Sequence, residues 1–133
     1  MTNYFHLHMT DRELQTISSI GLAHLGDAVY ELLVRSWLCA HGRATGKNLH
    51  RSAVELVRAE AQAERGQRIL PVLTEEELSV YRRGRNAHVN SIPHSASRSE
   101  YLKATALEAL FGWLYLQGDE DRINQLFCIM MEG

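Results

Sequence analysis

Residues 22–38 constrain the fold most tightly, because apolar side chains recur there at helical spacing and run almost all the way round the helix. At about 100° per residue, Leu22, Leu25, Val29, Leu32 and Leu33 share one face. Asp27, Glu31 and Arg35 lie opposite, spaced four apart, but Ala23, Tyr30, Val34 and Leu38 surround them. A helix that is apolar on nearly every side is buried on nearly every side. A chain built around it is a helical bundle.

The other segments agree. Thr10 followed by Glu13 has the capping-box pattern and predicts a short helix ending near Ser18 or Gly21. The long helix then runs over 22–41, with His41-Gly42 as its end. A third helix is predicted over 48–70, stopped by Pro71. Thr74 with Glu77 opens another, closing at Gly84. Residues 85–98 read as a polar loop, and 99–117 as a strong helix with Gly118 at its C-terminal cap. Asp119 caps a last helix ending near Met131. Period-two alternation and Asn-Gly hairpin signals are absent. The expectation is an all-α fold of about six helices forming one domain over 1–133, a length that can bury a core without disulfide or metal staples.

The helix at 99–117 repeats the peculiarity of the first. Leu102, Ala106, Ala109, Leu110 and Trp113 form its apolar face, and Glu108 lies opposite, beside Tyr101, Thr105, Gly112 and Tyr115. Gly112 costs about 1 kcal/mol against Ala inside a helix; such a glycine often marks close approach of another element, the alternative being plain tolerance. Each long helix therefore carries a carboxylate in apolar company, 81 positions apart in the chain. Read alone, Asp27 belongs to a solvated face whose Glu31–Arg35 pair contributes a few tenths of a kcal/mol. Read together, Asp27 and Glu108 from facing helices could hold a hard cation such as Mg²⁺, which takes oxygen ligands and keeps waters where side chains are few.

Composition narrows the partners. The formal charge is −2 and the pI about 6.4, so any nucleic-acid contact must come from a local basic patch. Arg82, Arg83 and Arg85 with Asn86, then Arg98 and Lys103, supply one; the competing reading is a basic helix end set against the helix dipole. Cys39 and Cys128 form no metal-binding spacing and read as buried free thiols of a reducing compartment. With no secretory signal and no apolar run of about 18 residues, a cytoplasmic protein that does not engage a membrane is expected.

Three of these tracts carry a family resemblance. AHLGDAVYE (23–31) resembles the signature helix of the ribonuclease III nuclease domain, whose Leu-Gly-Asp-Ala core holds a catalytic aspartate. ATALEALFGWLYL (104–116) resembles that domain's second acidic helix, and YRRGRNAH (81–88) the Arg-Gly-Arg-Asn element of the family's Mini branch. All three stand in the family's order, and the likeness spans 10–131. It implies an all-α homodimer that hydrolyses double-stranded RNA with Mg²⁺, with Mn²⁺ as an alternative. Asp27 would be the catalytic metal-binding carboxylate and Glu108 the second ligand. Precursor 23S (large-subunit) ribosomal RNA is the implied substrate, with 5′-phosphate products, and a ribosomal protein or preribosome is a further partner. The larger enzymes carry acids where this chain has Ala23 and Thr105, losses that suit the Mini branch. The helices also leave no room for a separate double-stranded-RNA-binding domain. A non-catalytic RNA-binding or ribosome-assembly scaffold is the alternative.

Overall fold

The computed structural model describes residues 1–42, 49–87 and 97–132. They form helices α1 (Asp11–Leu14), α2 (Ser19–Ala40), α3 (Leu49–Val57), α4 (Ala59–Gly66), α5 (Glu75–Arg85), α6 (Arg98–Gln117) and α7 (Glu120–Glu132), with a 3₁₀ turn at Leu70–Val72. No strand occurs among the described residues, so the all-α expectation holds. Most of the polar loop predicted over 85–98, with His88 and His94, lies outside them, as does Lys47.

Helix α6 is the axis of the bundle. From Ala104 to Leu116 it is buried almost without interruption, and α2, α4 and α5 pack round it. Tyr30, Val34, Leu38, Leu107, Leu110, Phe111, Leu114, Leu126 and Met130 form the main core, each at most 1% exposed. Burying one such side chain stabilises by about 1.5–3 kcal/mol. The rings of Tyr30 and Phe127 meet edge-on at 6.1 Å.

The capping boxes at Thr10 and Thr74 form as predicted, and Asp119 accepts from the Arg122 amide at 3.2 Å. A third box, Ser97 with Glu100, opens α6. Gly118 ends that helix at φ 81°, the left-handed region glycine favours.

Four expectations need correction. The predicted helix over 48–70 is two helices, because Arg58 adopts extended backbone (φ −63°, ψ 154°) and turns α4 onto α6. Neither Pro nor Gly marks that turn. Helix α5 does not close at Gly84 but includes it, since Gly84 is where α5 lies against α6: a Cβ there would stand 2.8 Å from Ala109 Cβ. The buried stripe of α2 is Leu22, Ala23, Gly26, Val29, Tyr30, Val34 and Leu38. Leu32 faces outward, because the stripe through Leu22, Gly26 and Val29 is the one turned toward α6. Finally, Cys39 is exposed and Cys128 half-buried, both free, as each sits on the outer side of its helix.

Candidate active site

The site is set where α2 crosses α6. Gly26 on α2 is so close to α6 that a Cβ would stand 1.6 Å from the Glu108 carbonyl oxygen. A Cβ on Gly112 would stand 2.1 Å from the Leu22 carbonyl oxygen. Real Cβ atoms never approach that closely, so only glycine fits either position. The two backbones touch, and the residues flanking the glycines are held in fixed register. Asp27 follows Gly26, and Glu108 sits one turn before Gly112. The crossing thus brings the two sequence-predicted acids together across 81 positions of chain.

Their environments differ. Asp27 is solvent-exposed and Glu108 partly buried. Burial first, then hydrogen-bond contact with the Asp27 carboxyl and the charge on it, push the Glu108 carboxyl up to about 9. Gln62 opposes the shift weakly: its Nε2 donates to Glu108 Oε2 at 3.5 Å. Glu108 therefore keeps a proton at neutral pH until something positive replaces it.

Gln62 went unnoticed in the sequence. It is 3% exposed on α4, and its Nε2 also donates to the Val57 carbonyl at 2.6 Å. Its Oε1 is buried without a donor among the described residues. The position carried no usable signal, because reading 48–70 as one straight helix gave no reason to aim Gln62 at Glu108. The two positions lacking acids stay uninvolved. Ala23 is buried in a small apolar cluster with Leu14, Leu22, Val80, Ala109 and Leu116. Thr105 spends its hydroxyl on the Tyr101 carbonyl at 3.0 Å.

Among the described residues no group of three or more His, Cys, Asp or Glu side chains converges. Two carboxylates, one of them disfavoured as an anion, still suit a hard cation that keeps most of its water. His24, one turn before Asp27, is exposed.

The predicted basic set divides. Arg85, Arg98 and Lys103 line one recess with Ser99 and Leu102, because Gly84 seats the end of α5 beside the start of α6. Arg83 lines a different groove with Asp11, Leu14 and Trp113. Arg82 is exposed, and Asn86 caps α5.

Comparison with known proteins accounts for this arrangement. Residues 21–119 match the Ribonuclease III domain, which spans both acids and the helix crossing. The chain is 44% identical over 111 residues to Mini-ribonuclease 3 of Symbiobacterium thermophilum, covering 84% of this chain and 85% of that one. It is 47% identical over 106 residues to Mini-ribonuclease 3 of Synechococcus sp., covering 80% and 75%. A crystal structure of a protein from Fusobacterium nucleatum superimposes with a TM-score of 0.78 at 32% identity, over 87% of this chain and 94% of that one. The chain belongs to the ribonuclease III family, in its Mini-ribonuclease 3 branch. It is an endoribonuclease. No described helix is long and apolar enough to cross a membrane.

Proposed function

We propose that this endoribonuclease cleaves double-stranded RNA in a divalent-metal-dependent reaction, with Asp27 and Glu108 as the metal-binding catalytic pair. The observation that carries the reading is the glycine-only crossing of α2 and α6, which sets two acids side by side with no ion pair to a basic side chain among the described residues. Such a pair is costly unless a cation joins it. Mg²⁺ is the cation its oxygen donors suit, with Mn²⁺ as a substitute. When bound, it would supply a water of lowered pKa and positive charge against a phosphate oxygen.

The chain's own contribution is positioning and proton control. Asp27 offers an exposed carboxylate, and Glu108 gives up the proton that burial holds on it as the ion is taken up. Arg85, Arg98 and Lys103, sharing one recess, hold phosphates; each adds to affinity and to its salt dependence without reading sequence. Arg82, Arg83 and Asn86 contribute less, because they face elsewhere or cap the helix. The working unit is a homodimer with one centre per protomer, and the substrate is precursor large-subunit ribosomal RNA. Both rest on the Mini-ribonuclease 3 relationship, as does a cytoplasmic location.

The test incubates the protein with long double-stranded RNA, with Mg²⁺ or EDTA, beside Asp27→Asn. Cleavage is expected with Mg²⁺ alone, and Asp27→Asn should lose at least about 1000-fold, the equivalent of several kcal/mol of charge stabilisation. Cleavage that ignores EDTA or survives Asp27→Asn would sink the mechanism. Binding without cleavage would favour the scaffold. A gel-filtration mass equal to one chain would refute the dimer.

A further inference from the structure

At the mouth of the α2–α6 crossing two acids face each other, with Asp27 in hydrogen-bond contact with the Glu108 carboxyl. Asp27 and Glu108 carry carboxyls, and Gln62 reaches in from a third helix with a buried amide. The amide's orientation is fixed by chemistry. Val57's carbonyl can only accept, so the atom 2.6 Å from it must be the donating Nε2. That same Nε2 reaches Glu108 Oε2 at 3.5 Å. The oxygen belongs to the same planar amide, about 2.2 Å from that nitrogen.

A purely structural role explains half of this side chain. Val57 ends α3, and its carbonyl needs a donor, which Nε2 provides. Oε1 has no such explanation. It is buried with no partner among the described residues, and an unsatisfied buried acceptor costs about 1–3 kcal/mol. Thr105 offers no donor, because its hydroxyl is committed to Tyr101. With the Glu108 carboxyl engaged by Asp27, the donor for Oε1 is left to what the site binds. A hydrated divalent cation brings both what the carboxyls need, positive charge, and what Oε1 needs, an O–H.

We infer that Gln62 is a positioning residue of the Asp27–Glu108 centre, its Nε2 holding Glu108 in place and its Oε1 accepting from a water carried by the bound cation. The inference rests on the metal-dependent reading above. It adds a neutral third member, from α4, to a pair of acids from α2 and α6. It also makes the turn at Arg58 functional, since a straight helix over 48–70 would not present Gln62 to Glu108.

Gln62→Met and Gln62→Glu in the full chain test it, with Mn²⁺ binding to the RNA-free protein read from the electron-spin-resonance signal of the free ion, alongside melting temperature and RNA cleavage. Gln62→Met keeps the volume and removes both hydrogen-bonding atoms. Its Mn²⁺ affinity, and the Mg²⁺ response of its cleavage, should weaken about 10-fold or more, the usual effect of losing a partner that orients a ligand, while KM for RNA at saturating Mg²⁺ changes little. Gln62→Glu adds a third carboxylate and should bind Mn²⁺ more tightly than the wild type. A Gln62→Met protein with a lowered melting temperature but wild-type Mn²⁺ binding would show that Gln62 is only a helix-end cap. If Gln62→Met does not fold, Gln62→Glu decides alone: binding unchanged or weaker overturns the inference. Should the wild type itself neither bind Mn²⁺ nor respond to Mg²⁺, the metal-dependent reading fails first, and this one with it.

Discussion

Two glutamates in this bundle, one buried and one partly buried, have opposite fates. Glu77, 4% exposed, is gripped by Arg122: Nε donates to one carboxyl oxygen and Nη2 to the other, both at 2.8 Å. Its Oε1 also closes the Thr74 capping box. Arg122 then donates to the Val72 carbonyl at 2.8 Å, so one ion pair ties α5, the 3₁₀ turn and α7 together. The Arg122 hydrogen bond holds the Glu77 carboxyl below its usual range. Glu108 has a second acid where Glu77 has an arginine, and its carboxyl is pushed up to about 9. A carboxylate satisfied from within holds a fold together. One left unsatisfied beside another acid is available for a ligand, and the fold bears its cost.

The comparison breaks first if the glycine crossing is looser than it looks. Gly26→Ala places a methyl 1.6 Å from the Glu108 carbonyl oxygen, which no rotamer relieves. It should cost at least about 3 kcal/mol, at the upper end of overpacking, and the folded fraction should lose cleavage because Asp27 is displaced. A thermal melt within about 1 kcal/mol of the wild type would refute rigid register.

Arg122→Ala comes next. It leaves Glu77 buried without its partner and should cost about 2–3 kcal/mol, below the range for a fully buried pair because Arg122 is partly exposed. Cleavage per folded molecule should stay at wild type, which chemical denaturation with a cleavage assay would check. Glu108→Gln should act in the opposite sense. At neutral pH, without metal, it should raise the melting temperature by about 3 °C while abolishing cleavage. A lowered melting temperature would mean Glu108 is as structural as Glu77.

The smallest effect is in pH, and its sign differs between the two acids. Folded Glu108 holds its proton longer than the unfolded chain does. Its contribution to stability is full below pH 4.5 and is lost as pH rises toward about 9. Folded Glu77 gives up its proton sooner than the unfolded chain. Its contribution is present above pH 4.5 and is lost as pH falls through its lowered value. Metal-free melts should flatten on the alkaline side for Glu108→Gln and on the acid side for Glu77→Gln. The reverse pairing would mean the environments were misassigned.

Much of this was legible in the sequence, for local reasons. Capping boxes, helical spacing and the glycines of 23–31 and 104–116 speak through residues a few positions apart. Asp27, Glu108 and the expected close approach at Gly112 could be read because helical geometry fixes which face each occupies. What stayed hidden depended on angles between helices. The turn at Arg58 bears no breaker residue, and without it Gln62 has no direction. The split of Arg83 from Arg85, Arg98 and Lys103 follows from where Gly84 meets Ala109. The outward turn of Leu32 follows from which stripe of α2 meets α6.

The crossing at Gly26 and Gly112 also has a consequence in time. Asp27 and Glu108 stand 81 positions apart, with α3, α4 and α5 between their helices. Contacts of such long range form late. By the reading proposed above, a chain in which α6 had not yet docked would present Asp27 without Glu108, one half of the proposed centre.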